Sequence, residues 1–289
     1  MASASVAPTL TDQQRSDLLE LTKGSDTVEL KLTVPLSDRS KTGAALGVDP
    51  LDGQIRQVYF FDTPDLALNQ RGLVVRARRV QGKGDDSVMK LRPVVPESLS
   101  SALRGSPNFG VEVDAMPGGY VCSGSMKHVL DPTNVKDAVA GKMPIRKLYS
   151  KEQRALYAEH APEGIGLDDL AILGPVLVLK VKCNPEGYDR RLVAELWMYP
   201  DNSMLLELST RCAPSEAFQM GMELRIFLTS RGIDLTGEQE TKTKKVLEFF
   251  SQRLQAAGEK RTAYPANAPA GSSPHEPSAL LLGMSGDRA

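Results

Sequence analysis

The chain has 289 residues, of which 41% are hydrophobic and 25% charged, and its net charge is −1. That length buries a substantial core, as one large domain or two. The near-neutral balance excludes a global nucleic-acid or membrane-surface signal, so any basic site is local. Cys122, Cys183 and Cys212 stand at unrelated spacings, which exclude a disulfide framework or a zinc site and fit reduced thiols in a cytoplasmic protein. The first residues lack the basic start and apolar run of a secretory signal, and no segment has the apolar length to span a bilayer.

In chain order, Leu18, Leu19 and Leu21 suggest a short helical turn. Thr27 to Val34, T-V-E-L-K-L-T-V, then alternates. Val28, Leu30 and Leu32 fall on one face of a strand, and Glu29, Lys31 and Thr33 on the other. Residues 38–53 are rich in turn residues, and Ile55 to Asp62 is rich in β-branched and aromatic residues, predicting a strand. Thr63-Pro64-Asp65 turns the chain. Leu66 to Gln70 reads as a helical excursion ending near Gly72. Leu73–Val80 and Ser87–Pro93 form a hairpin about Gly82 and Gly84. Gly110 to Ala115 reads as a further strand, residues 123–141 as helix, and Ile145 to His160 carries Lys147, Lys151 and Arg154. Three more strands follow, Val176–Cys183, Arg191–Met198 and Met204–Arg211, the last two joined by Pro200-Asp201-Asn202. Helices are predicted from Pro214 and over Glu238–Gln255. From Gly258 the composition shifts to Ala, Pro, Ser and Gly, predicting a disordered tail.

Charges recur at i and i+2 on these strands: Glu29/Lys31, Arg76/Arg78, Lys90/Arg92, Glu112/Asp114 and Lys180/Lys182, with single acids at Glu195 and Glu207. A solvated sheet face is the plain reading of any one strand. Two features point further. The basic residues are weighted to Arg, whose planar fork grips phosphate oxygens in pairs. Acids also accompany the basic pairs, as a site for a polyanion and a metal requires. A closed antiparallel barrel with a polar interior would gather all of them into one tunnel. The carboxylates would there hold Mg²⁺ or Mn²⁺, hard ions that prefer oxygen ligands.

This order of motifs resembles the CYTH family, the triphosphate tunnel metalloenzymes. The matches are Glu29-Leu30-Lys31, Tyr59 with Phe61-Asp62-Thr63-Pro64, Val75-Arg76-Ala77-Arg78, Met89-Lys90-Leu91-Arg92, and then Glu112, Arg154, Glu195 and Glu207 in order. The resemblance covers roughly residues 25–250 and implies an α+β fold: an antiparallel closed β-barrel with packing helices. Residues 1–24 would form a leader, 25–257 the tunnel domain and 258–289 the tail. It implies that Arg76, Arg78, Lys90, Arg92 and Arg154 contact phosphate oxygens, and that Glu29 and Glu207 hold a divalent ion with help from Glu112 or Glu195. Lys31 and Glu29 would be catalytic, Lys31 by positioning or deprotonating the attacking water or by contacting phosphate. Lys242, Lys244 and Lys245 read as a solvated helix face, with Lys244 kept as a candidate for the late lysine that reaches the tunnel in the family. Thr27 and Leu205 stand where the family carries acids, so each acidic pair keeps one member. Asp114 is a further candidate ligand.

Three functions follow from the resemblance. The first is metal-dependent hydrolysis of inorganic triphosphate, a nucleoside triphosphate or thiamine triphosphate. The second is a cyclase that forms cyclic AMP from ATP in the same tunnel. The third, motivated by Thr27 and Leu205, is a non-catalytic binder of triphosphate or polyphosphate. The expected partner is thus a triphosphate-bearing small molecule or polyphosphate, with no nucleic acid or membrane.

Overall fold

The computed structural model describes residues 11–235, 239 and 242–262. Among the described residues there are nine strands and eight α-helices. The strands are β1 (Thr27–Val34), β2 (Gln54–Asp62), β3 (Leu73–Val80), β4 (Asp85–Leu91), β5 (Phe109–Met116), β6 (Gly119–Leu130), β7 (Ala171–Cys183), β8 (Leu192–Met198) and β9 (Met204–Cys212). The helices are α1 (Asp12–Lys23), α2 (Arg39–Ala45), α3 (Ala67–Gln70), α4 (Ser101–Arg104), α5 (Asn134–Val139), α6 (Lys151–His160), α7 (Ala217–Ser230) and α8 (Lys242–Thr262). The tail expected from Gly258 begins inside α8, and from residue 263 it lies outside the described residues.

The strands close into one barrel in the order β1-β5-β6-β4-β3-β2-β7-β8-β9. This is the closed barrel with packing helices that the sequence implied, with one difference: β1 pairs parallel to β5 and antiparallel to β9. About eighty residues separate β1 from β5, ample chain for the crossover that a parallel pair needs. The stretch 123–141 also differs from its helical expectation. Residues 123–130 belong to strand β6, which pairs with both β5 and β4, and only Asn134–Val139 is helical. Ser123, Ser125 and Lys127 alternate there with the buried Cys122 and Met126, and pairing on both edges outweighs the weak local preference. The turn-rich stretch 38–53 contains the short helix α2.

Alternation gives every strand an outer and an inner face. The outer apolar side chains are covered by helices. Val28, Phe61, Val75, Met89 and Val113 pack with Leu68 of α3, Val135 of α5 and Leu156 of α6. Leu32, Ala194 and Leu208 pack with Leu224, Phe227 and Leu228 of α7. A third cluster lies inside. Val58, Phe60 and Val74 are paired across the sheet with Arg78, Arg76 and Lys90, and directly paired residues share a face. Val246, Leu247 and Phe250 of α8 pack against these residues and against Trp197 and Leu205. Helix α8 therefore fills one part of the barrel with apolar side chains and leaves the polar remainder as a tunnel. Among the described residues no helix is long and apolar enough to cross a membrane.

The F-D-T-P element holds this arrangement at its corner. Asp62 is buried at the end of β2, and its carboxylate accepts the backbone N–H groups of Thr63 (2.8 Å), Leu68 (2.9 Å) and Asn69 (3.0 Å). It thus satisfies the amides that open α3, which have no partners within so short a helix. Thr63 Oγ1 accepts the Ala67 N–H, and Ser251 of α8 donates to the Pro64 carbonyl at 2.7 Å. The motif is a structural clasp between β2, α3 and α8. Asp62→Ala leaves three amides without their acceptor, and we expect a loss of about 2–4 kcal/mol of stability, read as a lower urea midpoint at unchanged slope.

A charged tunnel as the candidate functional site

The inner faces place opposite charges at close quarters. From β1 come Glu29 and Lys31, and from the neighbouring β5 come Glu112 and Asp114. Strands β3 and β4 bring Arg76, Arg78 and Lys90, with Arg92 just beyond the end of β4. Strands β7, β8 and β9 bring Lys180, Glu195, Glu207 and Arg211, β2 brings Arg56, and Lys242 enters from α8. These are nine cations against five carboxylates, and since Asp86 pairs with Arg78, three positive charges are left over.

The pairing is uneven. Asp114 is fully buried among three cations: Lys31 at 2.7 Å, Arg92 at 3.2 Å and Lys90 at 3.6 Å. Lys31 also meets Glu29 at 3.0 Å, and Arg211 bridges Glu29 (3.5 Å) and Glu112 (2.8 Å). Arg78 and Asp86 form a two-bonded fork at 2.7 and 2.8 Å. Gly72 sets the position of Arg92: its carbonyl accepts the Arg92 N–H at 2.8 Å, and its φ of +74° suits glycine. A Cβ at Gly72 would stand 2.6 Å from the Arg92 carbonyl oxygen.

Electrostatics follow from burial and neighbours. Burial alone would raise Glu29, but Lys31 and Arg211 outweigh it and hold the carboxyl at about 2. Asp114 is likewise held far below the usual range, its burial overcome by Lys31, Lys90 and Arg92. Burial alone would lower Lys31, yet Asp114, Glu29 and Glu207 push it above the ordinary lysine value, so it stays protonated. Lys90 moves the other way. Burial and the cations Lys31, Arg76 and Arg92 bring it down to about 8 against the pull of Asp114. Burial, with Arg78 nearby, lowers Arg76 to about 10. Buried cations held short of anionic neighbours are what an incoming polyanion would relieve.

Of the site residues expected from sequence, Glu29, Lys31, Arg76, Arg78, Lys90, Arg92, Glu112, Glu195 and Glu207 line this one cavity. Arg154 and Lys244 do not. Arg154 is exposed on α6, outside the barrel, and donates to the Tyr149 carbonyl, while the buried Gln153 makes that helix's contact with β4. Lys244 is exposed and pairs loosely with Glu248, because two residues along a helix turn the side chain by about 200° from Lys242. Lys31 is inside as expected, and the carboxylates around it favour its protonated form.

Sequence reasoning missed Arg56, Arg211 and Lys242, and gave Lys180 no role. Arg211 was legible, since Glu207, Ser209 and Arg211 share a face by alternation. Lys242 was not, because nothing local says which face of α8 enters a barrel. Leu205 is buried with Trp197 and Val246, and Thr27 donates weakly to Glu112 at 3.5 Å. Neither supplies a carboxylate.

Glu29, Glu112 and Asp114 each offer an oxygen within 4.8 Å of the others. Such an all-oxygen, partly buried set fits a hard divalent ion such as Mg²⁺ or Mn²⁺.

A closed barrel whose interior gathers cations around a carboxylate cluster defines the class: a charged-tunnel barrel. No protein-family model and no curated protein matches the chain. Solved structures do. One is described as a "putative adenylyl cyclase" from Hippeastrum with a dominant triphosphatase activity. It has a TM-score of 0.57 at 17% identity, over 76% of this chain and 93% of that one. Another is a "putative adenylate cyclase" from Bacillus halodurans, with a TM-score of 0.54 at 14% identity, over 76% and 97%. The chain shares their fold, which is the fold its resemblance to the CYTH family implied.

Because the Glu29 carboxyl is held at about 2 in the folded chain against an ordinary value of 4.5, its stabilising contribution is complete above pH 4.5 and is lost as pH falls towards 2. The loss amounts to up to about 3 kcal/mol. In EDTA, stability measured by denaturant titration should fall between pH 4.5 and 2.5, and Glu29→Gln should flatten that slope.

Proposed function

We propose that the tunnel binds the phosphate chain of a triphosphate and hydrolyses it with the help of a divalent ion. The observation that carries this reading is the surplus of cations over carboxylates on the inner face of a closed barrel, around a three-carboxylate cluster. A phosphate chain presents a row of anionic oxygens that several Arg and Lys side chains can meet at once. Arg76 suits this role best, since it is buried in the lining and its Nε has no hydrogen-bond partner. Lys90 and Arg92 reach the same interior from the next strand, and Arg56 and Arg78 from β2 and β3.

Phosphoryl transfer needs positioning and charge neutralisation more than covalent help. Lys31, kept protonated by Asp114 and Glu29, would act as a fixed positive charge towards a phosphate oxygen. Glu29, Glu112 and Asp114 would hold Mg²⁺ or Mn²⁺, which when bound neutralises phosphate charge and makes bound water more acidic. Arg211, now bridging Glu29 and Glu112, would orient those carboxylates. Lys90 would gain an anionic neighbour on binding and so hold its proton more tightly. The likeness to a barrel described with a dominant triphosphatase activity supports hydrolysis over cyclisation as the first reaction to assay.

The test is phosphate release from inorganic triphosphate and from ATP by the full chain, with Mg²⁺, with Mn²⁺ and with EDTA. We expect metal-dependent release, lowered about 10- to 100-fold in Arg76→Ala, in line with loss of a charge-assisted hydrogen bond. Arg154→Ala, outside the barrel, should leave it unchanged. Cyclic AMP without phosphate release would replace this reading with a cyclase. No turnover, with thermal stabilisation by triphosphate that vanishes in Arg76→Ala, would replace it with a binder.

A further inference from the structure

The carboxylates of the tunnel fall into two groups, and their surroundings differ. Glu29, Glu112 and Asp114 converge as three ligands. Glu195 and Glu207 converge as two, and a lysine sits between them. Lys242 Nζ lies 2.6 Å from Glu195 Oε2 and 2.5 Å from Glu207 Oε1. The second oxygen of Glu195 accepts from Lys180 at 2.8 Å, and Trp197 Nε1 donates to Glu195 Oε2 at 3.3 Å. The Lys242 ammonium also stands 5.1 Å over the Trp197 ring.

We propose that Lys242 is a tethered substitute for a divalent ion between Glu195 and Glu207, so that this tunnel takes one divalent ion, at Glu29, Glu112 and Asp114, and not two. The proposal rests on the metal-dependent reading above and sharpens it. It gives Glu195 and Glu207 a role other than the metal ligation that the resemblance implied.

Three observations support it. First, a divalent ion at this pair would need the place that the Lys242 ammonium holds between the two carboxylates there. Second, the residue that would complete the acid set is Leu205, which packs in the apolar cluster with Val246 and Leu247. No third carboxylate joins the pair among the described residues. Third, the lysine cannot swing away freely. It starts α8, whose Val246, Leu247 and Phe250 are buried in that cluster. An expelled ammonium would also meet Lys180, paired to the same Glu195. A charge fixed to the fold neutralises two carboxylates without drawing an ion from solution.

The test counts Mn²⁺ bound per full-length chain by equilibrium dialysis, with no phosphate compound present. We expect one ion in the wild type and at least tenfold weaker binding in Glu29→Gln. The double variant Glu195→Gln, Glu207→Gln should keep one ion with affinity unchanged within twofold. Lys242→Met, shown to be folded by circular dichroism, should bind a second ion, and adding Glu195→Gln and Glu207→Gln to it should abolish that gain. Two ions in the wild type would overturn the proposal. So would a tenfold loss of affinity in the Glu195→Gln, Glu207→Gln variant, which decides the matter if Lys242→Met does not fold. A folded Lys242→Met that gains no ion would overturn it as well. A wild type that binds no Mn²⁺ would overturn the metal-dependent reading and with it the count of one ion, whereas two ions in the wild type would overturn the count alone.

Discussion

Five carboxylates and nine cations face one another inside a closed sheet, and the cost of desolvating them shapes everything else in this protein. An unpaired buried charge costs several kcal/mol, so the barrel tolerates them only as a connected network. Asp114 shows the principle in its plainest form: no part of its side chain is exposed, and three cations from β1, β4 and the end of β4 surround it. The network is nevertheless short of anions. Arg76 and Lys90 are held with lowered pKa values because burial and cationic neighbours outweigh what negative charge is near.

Helix α8 decides how much of the interior is available. Its apolar side chains pack with Val58, Phe60, Val74 and Leu205 and exclude water there, while its first residue reaches the acids of β8 and β9. One helix thus separates a packed part of the barrel from a charged part. It is tied to the opposite side by Ser251, which donates to Pro64 in the corner that Asp62 organises. The F-D-T-P element, which drew attention as part of a tunnel signature, therefore acts on the site by holding its walls and its plug, and touches none of the charged lining.

The two groups of acids also do different work. Glu29, Glu112 and Asp114 are bridged by Lys31 and Arg211. Glu195 and Glu207 are locked by Lys242 and Lys180. The asymmetry sets a direction along the tunnel, with three converging carboxylates on the β1–β5 wall and a lysine-bridged pair on the β8–β9 wall.

The sequence by itself determined which side chains share a face. Strict alternation in T-V-E-L-K-L-T-V, L-V-V-R-A-R-R-V and S-V-M-K-L-R put Glu29 with Lys31, Arg76 with Arg78, and Lys90 with Arg92, because the two-residue repeat of a strand is a local property of the backbone. It also marked the acids at 112, 195 and 207. Only the tertiary structure decided which faces meet. The parallel pairing of β1 with β5 brings Asp114 beside Lys31, and the pairing of β1 with β9 brings Arg211 to Glu29. The docking of α8 admits Lys242 and turns Lys244 to solvent, and the outward position of α6 removes Arg154. Strand β6 was legible only once β4 and β5 stood on its two edges. These are contacts between residues tens to hundreds of positions apart. They arise from closing a sheet and burying its faces, which no local period records.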